Sequence, residues 1–242
     1  MDGADDMPAG RWRSRGSTAR GRSRRGVMVF TPFCARPGQH HAMKWANVFC
    51  TALVMAGLWQ AWQQWQTRSL RPPDGLIAAT DPLQTDLQGA APIKRGHWTL
   101  TPRASYDITA RILSRDDYEF DAISDLIPED LALGWGPMSD NRVLRAFDIT
   151  QGARFYTWRP KAAPPIARQD VIEHSANTHV IPADAAIGSQ LARLRVGQVV
   201  HLTGLLVDGR RDDGSFINTS LTRSDTGAGA CEVMLVERVE VR

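Results

Sequence analysis

The sequence predicts an α+β protein: an N-terminal membrane helix, then a β-rich domain with a short helix and a partly open small barrel in its C-terminal half. Three observations predict it. No charged residue occurs from Trp45 to Thr67. Several segments after Gly96 alternate apolar and polar residues with a period of two, the mark of half-buried strands. Near the C-terminus, a helical pattern in "PADAAIGSQLARLRVG" feeds directly into the apolar stretch "QVVHLTGLLVDG".

Residues 1–42 hold eight Arg and three Asp, so the net charge of +3 belongs to this segment. Residues 43–242 carry 21 Lys+Arg against 23 Asp+Glu. Rich in Arg, Gly and Ser and without apolar periodicity, the first segment cannot bury enough surface to offset chain entropy. It reads as a disordered basic extension, with Met43-Lys44 as an alternative natural start. A nucleic-acid function would rest on this extension alone, and none is expected.

The run 43–67 reads as a membrane anchor. Its first part, "WANVFCTALVMAGLW", is strongly apolar but shorter than the roughly 20 residues that span a bilayer. The extension "QAWQQWQT" supplies the remaining length and carries Trp62 and Trp65, close behind Trp59. Tryptophan favours the membrane interface, and Lys44 ahead of the run keeps its N-terminal side in the cytoplasm. The inner membrane is therefore the expected partner through residues 45–67, with a single pass and a periplasmic C-terminal domain. A cleaved signal sequence ending near Val54-Met55-Ala56 and a buried soluble helix are the alternatives. Residues 68–95, with four prolines and no period, read as a linker.

The domain then occupies residues 96–242, with 16 Lys+Arg and 20 Asp+Glu. In "SYDITARILS", Tyr106, Ile108, Ala110 and Ile112 share one face of a strand. In "IPEDLALGWGPMSD", Pro128 suits a first helical position and Glu129 and Asp130 a first turn, so a helix of about two turns is expected before Gly134. "ARFYTWRP" reads as a strand. Ile187, Leu191 and Leu194 fall at i, i+4 and i+7 of a helix that Gly197 ends. "QVVHLTGLLVDG" and "CEVMLVERVEV" are strands, the first with Gly204 at a bend. This helix-then-strand order reads as the later part of an OB-like barrel.

Six residues stand out as candidate functional positions: Trp135, His174, Asn177, His179, Asp225 and Glu232. Asp225-Thr226-Gly227-Ala228 spells the signature of a retroviral-type aspartic protease. That chemistry needs two carboxylates sharing a proton and much of the fold after the Asp; only 17 residues follow it. A loop is the better reading, with Asp225 bonding nearby groups and Gly227 and Gly229 at positive φ. "HSANTHVIPAD" reads as a polar connection. His174 and His179 are five residues apart, which spreads them over about 140 degrees on a helix and disfavours a shared metal. Trp135 between two glycines reads as a binding platform or as a corner of the core. Cys231 is the domain's lone cysteine and reads as a small buried hydrophobe, because adjacent Glu232 opposes thiolate formation. No metal and no cofactor is expected.

The apolar run after Met43, with "DLALGWGPMSD", "SANTHVIPAD" and "SLTRSDTGAGACE", resembles bacterial single-pass envelope proteins of unassigned function. The resemblance covers most of residues 43–242 and implies location and class, with no activity to carry over. The expectation is a membrane-anchored, periplasm-facing binding or assembly protein working with other envelope proteins. The alternative is an envelope hydrolase that uses Asp225 with His174 or His179.

Overall fold

A strand of twenty residues, Trp98–Asp117, runs through the whole domain and pairs along both of its edges. It can do so because its inward residues are uniformly apolar: Tyr106, Ile108, Ala110 and Ile112 are all buried, on one face as the alternation requires. The computed structural model describes residues 39–66, 68–161 and 163–242.

In chain order, helix α1 spans Gln39–Gln66, strand β1 Leu83–Asp86, β2 Ile93–Arg95, β3 Trp98–Asp117 and β4 Glu129–Gly134. A 3-10 turn at Gly136–Ser139 leads to α2 (Asn141–Leu144), β5 (Phe147–Gly152), β6 (Phe155–Pro160), α3 (Arg168–Glu173) and β7 (Ser175–Pro182). The chain ends with α4 (Ala185–Leu191), β8 (Val199–Arg211), β9 (Phe216–Ile217) and β10 (Glu232–Val241).

The basic extension expected at 1–42 lies outside the described residues, except for Gln39–Ala42, which open α1. From Asn47 to Trp62 every residue of α1 is exposed, including Phe49, Leu53, Met55 and Trp59. No helix among the described residues is long and apolar enough to cross a membrane.

The domain is mixed α+β and strand-rich. β3 pairs with β4, β4 with β7, β7 with β10, β10 with β8, and β8 with β3 again, so five strands form a ring. All these pairings are antiparallel except β7 with β10. The ring encloses a core that includes Ile108, Leu133, Val180, Leu202 and Met234. Ile187, Leu191 and Leu194 join that core, and the Asp184 carboxylate caps α4 by accepting from the Ile187 N–H at 2.8 Å. Gly204 permits a close approach of β10: a Cβ there would meet the Leu235 carbonyl oxygen at 2.0 Å.

Four expectations are corrected. The barrel is not confined to the C-terminal half, since β3 and β4 come from the first half of the domain and β3–β8 pairing closes the ring. Residues 68–95 are more than a linker: β1 and β2 pair with β3, and the Leu70 N–H donates to the Val196 carbonyl. The helix expected after Pro128 is instead β4, buried at every residue. Pairing on both edges overrides the helix-start signal, because a segment buried on both faces shows no amphipathic period. "HSANTHVIPAD" is mostly β7, a central strand rather than a polar connection.

Candidate functional site

β7 explains why buried polar residues gather on one side of the barrel. Successive side chains alternate faces. Ala176 and Val180 join the barrel core, so Ser175, Asn177 and His179 face outward. On β4, Leu131 and Leu133 point in and Asp130 points out; on β10, Met234 and Val236 point in. The outward residues remain buried because the β5–β6 hairpin and its flanking segments cover them.

The hairpin turns through Ala153 and Arg154, at φ 50° and 68°. Both central residues at positive φ is the twist a two-residue hairpin requires, though glycine or asparagine usually supplies it. What secures the turn is the Arg154 side chain. It bonds both Asp121 carboxylate oxygens at 2.7 and 2.9 Å, the Ile127 carbonyl at 2.9 Å and Asp130 Oδ1 at 3.0 Å. Its guanidinium also stacks over Tyr118, 3.7 Å from the ring centre. The Arg154 carbonyl accepts from Asn177 Nδ2 at 3.1 Å, and Gln151 donates to Asn177 Oδ1 at 2.7 Å.

Asp130 and His179 face one another in the β4–β7 register, with Asp130 Oδ1 2.8 Å from His179 Nδ1. A carboxylate only accepts, so Nδ1 carries the hydrogen and Nε2 is left for a second partner. The Cys231 sulfur is among the groups that act on the ring. Burial by itself opposes the charge on His179. The bond to Asp130, together with the influence of the Cys231 sulfur, outweighs it and holds the imidazole up at about 9. Asn177 Nδ2 lies 3.4 Å from Cys231 Sγ.

Beside this cluster opens a cleft of about 330 Å³. Its walls are β6, the start of β7 and the loop from Asp225 to Cys231. Phe155, Tyr156, Thr157 and Trp158 all border it, four consecutive residues of one strand. Because side chains alternate, such a run means that the strand's edge, not one face, lines the cleft. Gly152 and Phe155 flank the turn and Thr150 pairs with Thr157 two residues on. In such a hairpin these pairs exchange their bonds, which turns the N–H and C=O of Tyr156 and Trp158 away from β5. Among the described residues β6 pairs with β5 alone.

Asn177 and Asp225 both line this cleft, and His179 is not among the residues that border it. Asp225 accepts from the Ser220 hydroxyl at 2.7 Å, and Ser220 also accepts from the Thr222 N–H at 3.1 Å. Gly227 and Gly229 stand at φ 87° and 90°, as a loop demands. His174 is elsewhere: its Nδ1 donates to the Asp170 carbonyl at 2.8 Å, and it borders a separate pocket with Asp81 and Arg223. Asp225 is hydrogen-bonded to neither histidine among the described residues. Trp135 is 1% exposed within the core and offers no platform. Glu232 points into the barrel end, where burial pushes its carboxyl up to about 8.

Asp130, Arg154 and Ser220 were not legible as site features. No local signal could have found them, since Asp130 lies 49 residues from His179 and 24 from Arg154. Among the described residues no group of three or more His, Cys, Asp and Glu side chains is arranged to hold a metal ion. Comparison with protein-family models, curated proteins and solved structures gives no match.

Proposed function

We propose that the domain binds an extended peptide segment, which adds to the free edge of β6 and lies in the cleft over β7. The observation that carries this reading is the outward N–H and C=O pattern at Tyr156 and Trp158, on the edge that lines the cleft. Strand addition draws affinity from such main-chain groups and specificity from neighbouring pockets. Ile172, Ala176 and Ala230 supply an apolar floor, and Asn177 and Thr226 supply polar contacts. The five-stranded ring, with α4 between β7 and β8, supports an OB-type barrel as the scaffold. The negative balance of the domain argues against a nucleic-acid ligand for that scaffold.

The exposed apolar side chains of α1, with Trp59 and Trp62 at 5.3 Å from ring centre to ring centre, support attachment to the inner membrane. In this reading the domain lies on the periplasmic side and its ligand belongs to an envelope protein. A phosphatase fused after Arg242 is then active, and an inactive fusion contradicts the placement.

Residue-resolved amide exchange tests the binding mode. Peptides selected by display against the full chain should slow exchange at Tyr156 and Trp158 and leave Thr157, already bonded to β5, unchanged. Protection confined to other surfaces contradicts strand addition at β6.

A further inference from the structure

The walls of the cleft over β7 carry a single charge. Among the described residues that border it, Asp225 is the one Asp, Glu, Lys, Arg or His side chain. Its companions on the walls are aromatic, small or neutral, Phe155, Trp158, Ile172, Ala176 and Asn177 among them. The 220–231 loop fixes this carboxylate and leaves half of it free. Asp225 Oδ2 accepts from the Ser220 hydroxyl at 2.7 Å, and Ser220 is tied in turn to the Thr222 N–H at 3.1 Å. Among the described residues Oδ1 has no hydrogen-bond partner and Asp225 no ion pair.

Cations close by in the fold are engaged elsewhere. Arg223 donates to the Pro82 carbonyl and lies 3.9 Å from Asp81. Arg154 is divided between Asp121 and Asp130. Arg168 sits 6.0 Å from the centre of the Trp158 ring and does not border the cleft. The charge on Asp225 is thus left for a ligand to match.

We propose that Asp225 selects a lysine or arginine side chain in the segment that adds to β6. The ligand is then an extended segment whose inward face combines apolar residues with one cation. This inference rests on the peptide-binding reading of the cleft. Side chains of an added strand alternate, so one set enters the cleft and the other faces solvent. The entering set meets the apolar floor of Ile172, Ala176 and Ala230, with Asp225 on the wall. A cation in that set gains a charge-assisted hydrogen bond at Oδ1, a neutral side chain gains none, and an acidic one is repelled. The rings of Phe155 and Trp158 on the same walls favour a cation further. The excess of acidic residues over 96–242, 20 against 16 basic, draws in a partner of the same sign.

The test titrates the full chain with two matched heptapeptides, acetyl-Thr-Val-Thr-Lys-Thr-Val-Thr-amide and its counterpart with Gln at the centre. Each places Val on both sides of the central residue on one face. Affinity and amide protection at Tyr156 and Trp158 are read together. Both peptides should protect these two amides. The Lys peptide should bind roughly threefold to fivefold more tightly, the range of an ion pair at a partly exposed site. That advantage should vanish in about 1 M salt. Asp225→Asn keeps an oxygen for Ser220 while removing the charge. It should abolish the preference for Lys and leave the affinity of the Gln peptide unchanged.

Equal affinities in the parent chain overturn the selection by charge, whether or not the Asp225 variant folds. A preference for Lys that persists in Asp225→Asn assigns it to another group and overturns the proposal too. In both cases protection at Tyr156 and Trp158 leaves strand addition standing. Binding without protection at these amides overturns strand addition at β6, and this inference with it.

Discussion

Asp130 and His179 are direct cross-strand partners, 2.8 Å apart, on the outer face of a barrel whose inner face is apolar. The pair is buried, at 0% and 7% exposure, so neither group can exchange its partner for water without local opening. Removing one partner leaves the other buried and alone, which is the costly case for buried charges.

Stability should fall as pH rises from about 5 to about 9. His179 holds its proton up to about 9 in the fold, against 6.5 as the ordinary value. Its contribution is therefore complete below 6.5 and lost as pH rises through about 9. Glu129 and Glu232, both pushed by burial to about 8 from 4.5, act in the same direction over a lower window. Urea midpoints measured across this range should decline steadily; a midpoint that rises with pH contradicts the assignment.

Glu232→Gln should remove part of that decline. The buried carboxyl ionises only at a cost in the fold, and its Oε2 has no hydrogen-bond partner among the described residues. A neutral amide escapes the charging cost, on the order of a few kcal/mol at high pH. The variant should melt above the parent at about pH 9 and close to it near pH 5. Equal melting temperatures at both pH values would show that Glu232 is already solvated.

Arg154 should be the most sensitive residue of the hairpin. Arg154→Ala strips Asp130 of its guanidinium and frees the turn, a loss of about 3–5 kcal/mol for a buried pair broken on one side. Ala153→Gly should do the reverse, stabilising by about 0.5–1 kcal/mol, because Ala153 sits at φ 50°. Denaturant titration of both variants checks the two signs, and a stabilising Arg154→Ala would dismiss the clip.

The 220–231 loop should rank its substitutions by mechanism. Asp225→Ala loses the bond from Ser220, about 1 kcal/mol for an exposed acceptor, and Asp225→Asn retains part of it. Gly227→Val is worse by about 1–2 kcal/mol, since the site is open in space but at φ 87°. Gly204→Ala exceeds all of them, because its Cβ would meet the Leu235 carbonyl at 2.0 Å inside the ring. Thermal melts showing Gly204→Ala milder than Gly227→Val would contradict the close packing of β8 on β10.

The parts of the fold that read directly from sequence were those with one wet and one dry face. β3 around Tyr106–Ile112 and α4 with Ile187 and Leu191 carry clean periods. β4 does not, because both of its faces are buried, and Pro128, Glu129 and Asp130 imitate a helix start. β7 misled for the opposite reason: Ser175, Asn177 and His179 look like loop residues until a hairpin covers them. β1 and β2 pair through backbone that any residue supplies. At the site, Asn177, His179 and Asp225 drew attention singly. Their grouping depends on contacts across 49 residues from Asp130 to His179 and 54 from Asn177 to Cys231, which local pattern does not encode.

The charged state of His179 is the measurement on which the site turns. Nitrogen-15 chemical shifts of the imidazole, assigned by their loss in His179→Gln, report protonation at each ring nitrogen. The expected result is an imidazolium at neutral pH, with both nitrogens protonated and a midpoint near 9. A neutral ring at pH 7, titrating at or below about 6.5, would contradict the buried Asp130–His179 ion pair.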